Sequence, residues 1–197
     1  MSVTVITYHR VMGRWEPNAR GRLAKAALEL YAAQGFEQTT VAEIAGRAGL
    51  TERTFFRHFA DKREVLFYGM ELMQDRLVRA ITDAPASATA MDAMGAAFEA
   101  GGAAMQTNPD RIRLRNAIVS AHPELREREL IKFAAFAAAV AAALRERGVP
   151  EPAASLAAEA GVAAFRVALA GWSGEPGQPD LPTMIRAAMT ELRGVLA

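Results

Sequence analysis

Apolar residues recur at helical spacing along the chain and predict a succession of amphipathic helices. The clearest stripes are Leu23, Ala27, Leu30 and Tyr31, then Val41, Ile44, Ala45 and Ala48, then Val65, Leu66, Met70, Met73, Leu77 and Ile81. Positions i, i+3, i+4 and i+7 share one face of an α-helix, whereas a half-buried strand alternates at every second residue. Long alternating β-branched runs are absent, and alanine, the strongest helix former, is abundant. The pattern therefore predicts an all-α protein.

Start and stop signals divide this pattern into nine predicted helices. Thr40 followed by Glu43 has the form of a capping box, and Asn108-Pro109 places an N-cap before a proline at the first helical position. Gly148 stands where a left-handed residue ends a helix. The predicted helices cover residues 19–34, 41–48, 52–59, 62–82, 88–106, 109–120, 123–147, 153–172 and 181–196.

Composition argues against several classes of protein. The 197 residues include no cysteine, which removes disulfides and thiolate metal sites and favours a reducing, cytoplasmic setting. The three histidines, His9, His58 and His122, are far apart, and no phosphate loop or nucleophile elbow is present, so neither an enzyme nor a cofactor is expected. The most apolar stretch, residues 133–144, is shorter than the roughly 20 residues of a membrane span, and no signal peptide precedes it.

Charge is distributed unevenly along the chain. Residues 1–63 carry 10 basic and 6 acidic side chains, whereas residues 64–197 carry 13 and 16. A basic N-terminal third on an acidic remainder indicates a small polyanion-binding module on a larger body. We therefore expect an irregular arm over residues 1–16 with Arg10, Arg14 and Trp15, a module over residues 17–62, and a body over residues 63–197.

The segment from residue 40 to residue 62 has the pattern of a helix-turn-helix. Two short helices flank Gly49, where the turn requires positive φ, and Ala45 supplies the small side chain that two crossing helices need. The residues expected to be buried at the crossing are Ile44, Ala48, Leu50 and Phe55. The second helix could enter a DNA major groove about 12 Å wide. An ordinary helical corner inside a bundle is the alternative.

The stretch from Ala27 to Leu66 resembles the N-terminal DNA-binding region of TetR-type repressors. Gly35-Phe36, Thr39-Thr40-Val41, Ile44-Ala45, Ala48-Gly49, Phe59 and Lys62 all fall at the spacings of that family. The rest of the chain matches the family only in plan, with a long linking helix and a helical body. The resemblance implies a homodimeric transcriptional repressor that binds a two-fold double-stranded operator and leaves it when a small-molecule effector binds the body.

The resemblance also implies a role for each residue of the motif. Contacts to phosphates or to the DNA backbone are expected from Thr40, Thr51, His58 and Lys62. Contacts to bases are expected from Glu52, Arg53, Thr54 and Arg57 on the exposed face of the second helix. Phe56 replaces the tyrosine that is usual in the family, so it can stack on a base or touch a thymine methyl but cannot donate to a phosphate.

The body offers an apolar interior in which a ligand could bind. The candidate lining residues are Phe67, Met70, Met73, Met94, Phe98, Met105, Phe133, Phe136, Phe165 and Trp172, each of which could instead be plain core. This inventory favours an apolar or amphipathic effector over a metal or a sugar phosphate, because an unpaired buried charge is costly. The exceptions are Arg113, Arg115 and Arg166. One of them could bind a carboxylate if it points inward, and the alternative is an exposed, salt-bridged face.

A stripe of small residues in the helix over 153–172 predicts a close helix contact, expected at a homodimer seam. The stripe is Ala157, Gly161, Ala164 and Ala168, and the apolar faces assigned to the same seam are Phe165 and Leu169, with Ile185, Met189 and Leu192 of the last helix. Two other interpretations remain open. A helical enzyme or carrier would bring titratable residues together in a pocket, and an adaptor that does not bind DNA would lack the basic face of Arg53, Arg57 and Lys62.

Overall fold

The computed structural model describes residues 18–172, 174–175 and 177–196, and this part of the chain is helical with no strand. Its α-helices are α1 (Ala19–Gln34), α2 (Val41–Arg47), α3 (Glu52–His58), α4 (Tyr68–Thr82), α5 (Ala90–Met105), α6 (Pro109–Ala121), α7 (Pro123–Glu146), α8 (Ala153–Gly171) and α9 (Leu181–Leu196). The predicted all-α fold and its nine helices are confirmed over the described ranges. The expected arm, with Arg10, Arg14 and Trp15, lies outside the described residues.

The helix ends follow the capping signals in the sequence. The side chains of Thr40, Thr51 and Asn108 each accept a hydrogen bond from a backbone N–H three residues further on. These bonds satisfy donors that the first turn of a helix leaves without an intrahelical partner. Gly148, two residues after the last residue of α7, has φ +86°, in the left-handed region that ends a helix.

Two apolar cores organise the molecule. The N-terminal core joins α1, α2, α3 and the segment 65–68, and it is completed by Ile118, Val119 and Leu125 from the junction of α6 and α7. The second core is built from α4, α5, α7, α8 and α9. The start of α7 therefore packs on the module that contains the helix-turn-helix, while the rest of α7 belongs to the body.

The helix predicted over residues 62–82 begins six residues later than expected. The Asp61 carboxylate accepts hydrogen bonds from the N–H groups of Arg63 and Glu64, at 2.8 and 3.0 Å, so it does cap the segment. The turn that follows, Glu64–Phe67, is a 3₁₀ turn, and α4 starts at Tyr68. The tighter turn directs the side chains of residues 65–67 into the N-terminal core.

The small-residue stripe of α8 packs inside the chain, so the prediction that it forms a dimer seam was wrong in its geometry. A Cβ added at Gly161 would lie 2.6 Å from Met94 Cε and 3.2 Å from the Phe98 ring, both on α5. Ala164 is only 8% exposed. The large residues assigned to the seam, Phe165, Ile185 and Met189, are also buried in the second core. The stripe allows α8 to approach α5 closely.

The face of α8 opposite to this core is also apolar. Leu156 and Val167 are exposed on it, and within the described residues α8 is the one helix long and apolar enough, by length and composition, to cross a membrane. Residues 133–144 are too few to span a membrane, whereas the 19 residues of α8 are long enough. In the structure, α8 packs against α7 and α9. Such a packed helix is also typical of a protein core.

Candidate functional site

The turn between α2 and α3 has the geometry that the motif requires. Gly49 has φ +66°, and the N–H of Leu50 donates to the carbonyl of Ala45 at 2.8 Å across the turn. Ile44, Ala45 and Phe55 are fully buried where the helices cross. The other two residues expected there, Ala48 and Leu50, are only half-buried at the edge of this contact.

The outer face of α3 is free for a partner. Glu52, Arg53 and Arg57 are exposed, and Thr54 is half-buried. Phe56 is 55% exposed and touches Phe55 edge-on, with ring centroids 5.5 Å apart. An aromatic ring beside two arginines, on a helix held by a buried residue such as Phe55, can combine hydrogen bonding to base edges with apolar contact.

The two threonine hydroxyls expected to bind phosphates are engaged within the chain. Thr40 Oγ1 accepts from the Glu43 N–H and donates to the Glu43 carboxylate at 2.8 Å, and that carboxylate accepts from the Thr40 N–H. The bond from the Thr40 backbone holds the pKa of Glu43 below its usual value. Thr51 Oγ1 accepts from the Thr54 N–H at 3.2 Å. Both side chains therefore set the starts of α2 and α3.

Lys62 is used within the chain rather than directed outward. Its ammonium group donates to the backbone carbonyls of Phe36, Glu37 and Thr39, at 2.9–3.0 Å, and lies 4.7 Å from the centre of the Phe36 ring. The Lys62 carbonyl in turn accepts from the Tyr31 hydroxyl at 2.7 Å. Three N–H donors thus meet three carbonyls. These bonds fix the loop between α1 and α2, and the phosphate contact expected of Lys62 stays a prediction.

His58 is half-buried at the end of α3. Its Nε2 atom is buried and has no hydrogen-bond partner among the described residues. Burial lowers the pKa of His58, and the positive charges of Arg57 and Arg20 lower it further. A lower pKa favours the neutral ring, and the contact of His58 with the DNA backbone stays a prediction.

A cavity of about 400 Å³ lies between the helix-turn-helix module and the body. Five of the ten predicted lining residues, Met70, Met73, Met105, Phe133 and Phe165, do line it. The other five, Phe67, Met94, Phe98, Phe136 and Trp172, are buried in the cores instead. Trp172 therefore does not stand beside the cavity, although Leu169, one turn earlier on α8, does.

Both parts of the molecule contribute to the cavity wall. Leu28 of α1 and Val65 and Leu66 of the 3₁₀ turn line one side, and all three also belong to or pack in the N-terminal core. The cavity volume lies within the range of about 300–1,000 Å³ that is typical of small-molecule sites. A molecule in this cavity would touch the segment that joins the two cores.

The three arginines singled out in the sequence have different environments. Arg115 lines the cavity, pairs with Glu129 and donates to the Leu66 carbonyl at 3.3 Å. Arg113 pairs with Asp110 and lies outside the cavity lining. The Arg166 guanidinium lies 4.9 Å from the centre of the Phe133 ring. Only the first of these three reaches the cavity.

Ion pairs link the helix-turn-helix module to α7. Arg128 bonds Asp61 and Glu64, at 3.1 and 2.8 Å, and Lys132 bonds Glu64 at 2.8 Å and Glu71 at 3.4 Å. Burial opposes the charge of Lys132, but the two carboxylates outweigh it and raise the lysine pKa. These pairs hold the 3₁₀ turn and the start of α4 against α7.

The comparison that decides the family covers the helix-turn-helix module. Residues 23–68 match the family model described as bacterial regulatory proteins, tetR family. The N-terminal domain belongs to the TetR family. The HTH-type transcriptional regulator TcmR of Streptomyces glaucescens is 42% identical over 81 residues, 41% of this chain and 36% of the relative. A second relative, from Mycobacterium tuberculosis, is 26% identical over 130 residues, 66% of each chain. The match thus spans about a third of the first relative and just under two thirds of the second.

Solved structures extend the TetR likeness to the fold of nearly the whole chain. The SmeT–triclosan complex superposes with a TM-score of 0.63 and 23% identity, covering 90% of both chains. The FadR repressor of Thermus thermophilus, in complex with lauroyl-CoA, has a TM-score of 0.57 and 20% identity, covering 88% of this chain and 93% of its own. At such identities the likeness establishes the fold, including the helical body that the sequence matched only in plan.

Several residues important to the TetR-like architecture carry no signal in the sequence. Arg20 pairs with Glu71 at 2.5 Å and lies over the rings of Phe59 and Tyr68, so it ties α1 to α4. Arg76 and Arg111 line the cavity. An arginine on an exposed helix face is common, and only the tertiary fold distinguishes these from their neighbours.

Proposed function

We propose that this protein is a sequence-specific transcriptional repressor whose operator affinity falls when a small molecule fills the cavity. The observation that carries the proposal is the outer face of α3, where Arg53, Phe56 and Arg57 are exposed while Phe55 anchors the helix in the core. Arginine can read guanine through a bidentate pair of hydrogen bonds, and an apolar side chain can read the thymine methyl group.

The release step is supported by the position of the cavity. Its wall contains Val65 and Leu66 of the turn that leads from the DNA-binding domain into α4. A ligand changes the population of two conformations only if it binds one of them better. Occupancy that favours a displaced turn would move α4 and with it the recognition helix. SmeT and the Thermus FadR, which share this fold, hold triclosan and lauroyl-CoA.

A homodimer is the assembly that a two-fold operator requires. We assign its interface to the outer face of α8, where Leu156, Ala163 and Val167 are exposed. With Ala160 and Ala170, these residues repeat at spacings of four and three, the pattern of a helix that packs lengthwise on a partner. The inner face of α8 is already buried, so a second copy would leave this helix covered on both sides.

The deciding experiment is an electrophoretic mobility shift with the DNA immediately upstream of the protein's own coding region, followed by selection from random duplexes. We expect salt-sensitive binding to half-sites about one helical turn apart, roughly 34 Å or more. Arg57→Ala should weaken operator binding by about 1–3 kcal/mol and relax the base preference at one position.

Arg145→Ala is the matched control, because Arg145 is exposed and pairs with Glu151 far along the chain from α3. Its operator affinity should equal that of the parent. If the parent and the Arg57→Ala variant bind operator and unrelated duplexes equally, α3 does not read DNA sequence and the proposal fails.

A further inference from the structure

The charged side chains that the structure describes around the cavity all carry the same sign of charge. Among residues 18–172, 174–175 and 177–196, three arginines line the cavity, Arg76 of α4 with Arg111 and Arg115 of α6, and no aspartate or glutamate does. A cavity with cationic groups and no lining carboxylate attracts an anion and disfavours a cation. The inventory of residues expected to point inward does not include Arg76 and Arg111, which are exposed although they line the cavity.

Two of these arginines have charges that nothing else in the described chain neutralises. Arg115 is held by Glu129, by the Leu66 carbonyl and by the sulfur of Met70. Arg76 and Arg111 have no side-chain hydrogen bond or ion pair among the described residues. Both are exposed and line the cavity, so their guanidinium groups are available to a ligand there.

The remaining lining is apolar on its buried side and polar near α6. Met73, Leu77, Phe133 and Phe165 are buried in the second core and line the cavity, whereas Thr107, Asn108 and Asn116 line it beside the arginines. A ligand with an apolar body and one anionic head can place its body among the buried residues. Its head would then form charge-assisted hydrogen bonds with the guanidinium groups.

We infer that the effector is an amphipathic monoanion, with a carboxylate or a similar single-charge head held by Arg76 and Arg111. This inference rests on the proposed function only in assigning the cavity to an effector. A cation would meet the three arginines, and a multiply charged, fully polar ligand would bury its charges among apolar side chains at a large cost. Arg115 lines the same cavity and donates to the Leu66 carbonyl of the 3₁₀ turn, so the anion would share the cavity with the segment that joins the two cores.

The test compares probes that share a body and differ in charge. Calorimetric titration without DNA would use naphthoate, naphthamide and naphthylmethylamine, then dodecanoate with dodecanamide. Each acid should bind about tenfold more tightly than its amide, the amine should bind most weakly, and added salt should reduce the preference. Equal affinity of acid and amide, a preference for the amine, or no binding of either acid up to about 1 mM would overturn the inference.

Substitutions at Arg76 and Arg111 test whether these two residues cause the preference for the acid over the amide. The double change Arg76→Gln with Arg111→Gln should abolish the acid preference and keep the affinity for the amide, because neither residue supports the fold through a described contact. Arg113→Gln, on the same helix but outside the cavity, should retain the preference. Acid binding that survives the double change would contradict the assignment. These titrations need no operator, so a failure to bind DNA would count against the proposed function alone.

Discussion

Lys62 shows how one side chain can serve the fold where the sequence suggested a contact to DNA. Lys62→Met would leave the Glu37 and Thr39 carbonyls without the lysine donor, while the Phe36 carbonyl would keep its bond from the Thr39 N–H. The free energy of unfolding should therefore fall by about 1–3 kcal/mol. Urea denaturation would measure this change. The neighbouring Arg63→Met is the control, because Arg63 is exposed, and its stability should stay within about 0.5 kcal/mol of the parent.

The opposite result for Lys62 is equally specific. Lys62→Met could instead leave stability unchanged and reduce the slope of the logarithm of operator affinity against the logarithm of salt concentration by about one. The lysine would then neutralise a phosphate. The expectation taken from the family resemblance would then hold, and the carbonyl contacts would have to be exchanged for the phosphate on binding.

His58 predicts a pH dependence of stability with a defined sign. Its pKa is lower in the folded chain than the unfolded value near 6.5, so the unfolded chain binds more protons between the two pKa values. The stabilisation from the neutral ring is complete above the unfolded pKa and is lost as pH falls through that window. The melting temperature should therefore fall between about pH 7 and 5 more steeply for the parent than for His58→Gln. Parallel curves would show that His58 titrates freely.

At the scale of elements, Gly161 identifies the face on which α8 packs against α5. Gly161→Ala should lower stability, because the added Cβ would lie 2.6 Å from Met94 Cε and must displace that buried side chain. Gly194→Ala on α9 is the matched control, since a Cβ there meets nothing within 4 Å and alanine favours a helix by about 1 kcal/mol. Thermal unfolding of both variants would measure the difference. If Gly161→Ala raised the melting temperature as much as Gly194→Ala, the close packing of Gly161 against α5 would be contradicted.

The element boundaries could be predicted wherever a side chain caps a helix locally. Thr40, Thr51 and Asn108 bond backbone groups three residues away, so their sequence neighbours determine the contact. The 3₁₀ turn Glu64–Phe67 could not be predicted, because its apolar residues continue the helical pattern of α4. Its geometry depends on burial against α1 and on Arg128, which is 64 residues away in the sequence.

At the scale of the whole molecule, the inner face of α8 is buried within the chain, so α8 could contribute to a dimer only through its outer face. Val167→Glu adds a charge at a position that is 69% exposed in the single chain, so it should leave the monomer fold intact and shift the dimer to monomer. Sedimentation at micromolar concentration would measure this shift. Ile131→Glu on α7, at a position 63% exposed, should remain dimeric. A monomeric parent, or a dimeric Val167→Glu variant, would contradict the assigned interface.

How far apart in the sequence its residues lie decides whether a site can be predicted. The helix-turn-helix is local and could be predicted, whereas the cavity is built from distant helices and could not. Gly49, Ala45 and Phe55 act within one stretch of about twenty residues, so their spacing carries the motif. The cavity collects side chains from α1, α4, α5, α6, α7 and α8, and a helical stripe does not reveal which neighbour covers it. Hence half of the proposed lining proved to be core, and two arginines of the wall were missed.

The contribution of Ile118, Val119 and Leu125 to the N-terminal core limits how far the DNA-binding domain is a transferable unit. A hybrid regulator that keeps residues 18–68 and takes its body from a relative would lose the apolar cover supplied by the corner between α6 and α7. Grafting that corner together with the domain should restore a cooperative melting transition, whereas residues 18–68 alone should unfold at a lower temperature. A change of effector specificity by exchange of bodies would therefore succeed only between chains whose α6–α7 corners fit the same domain surface.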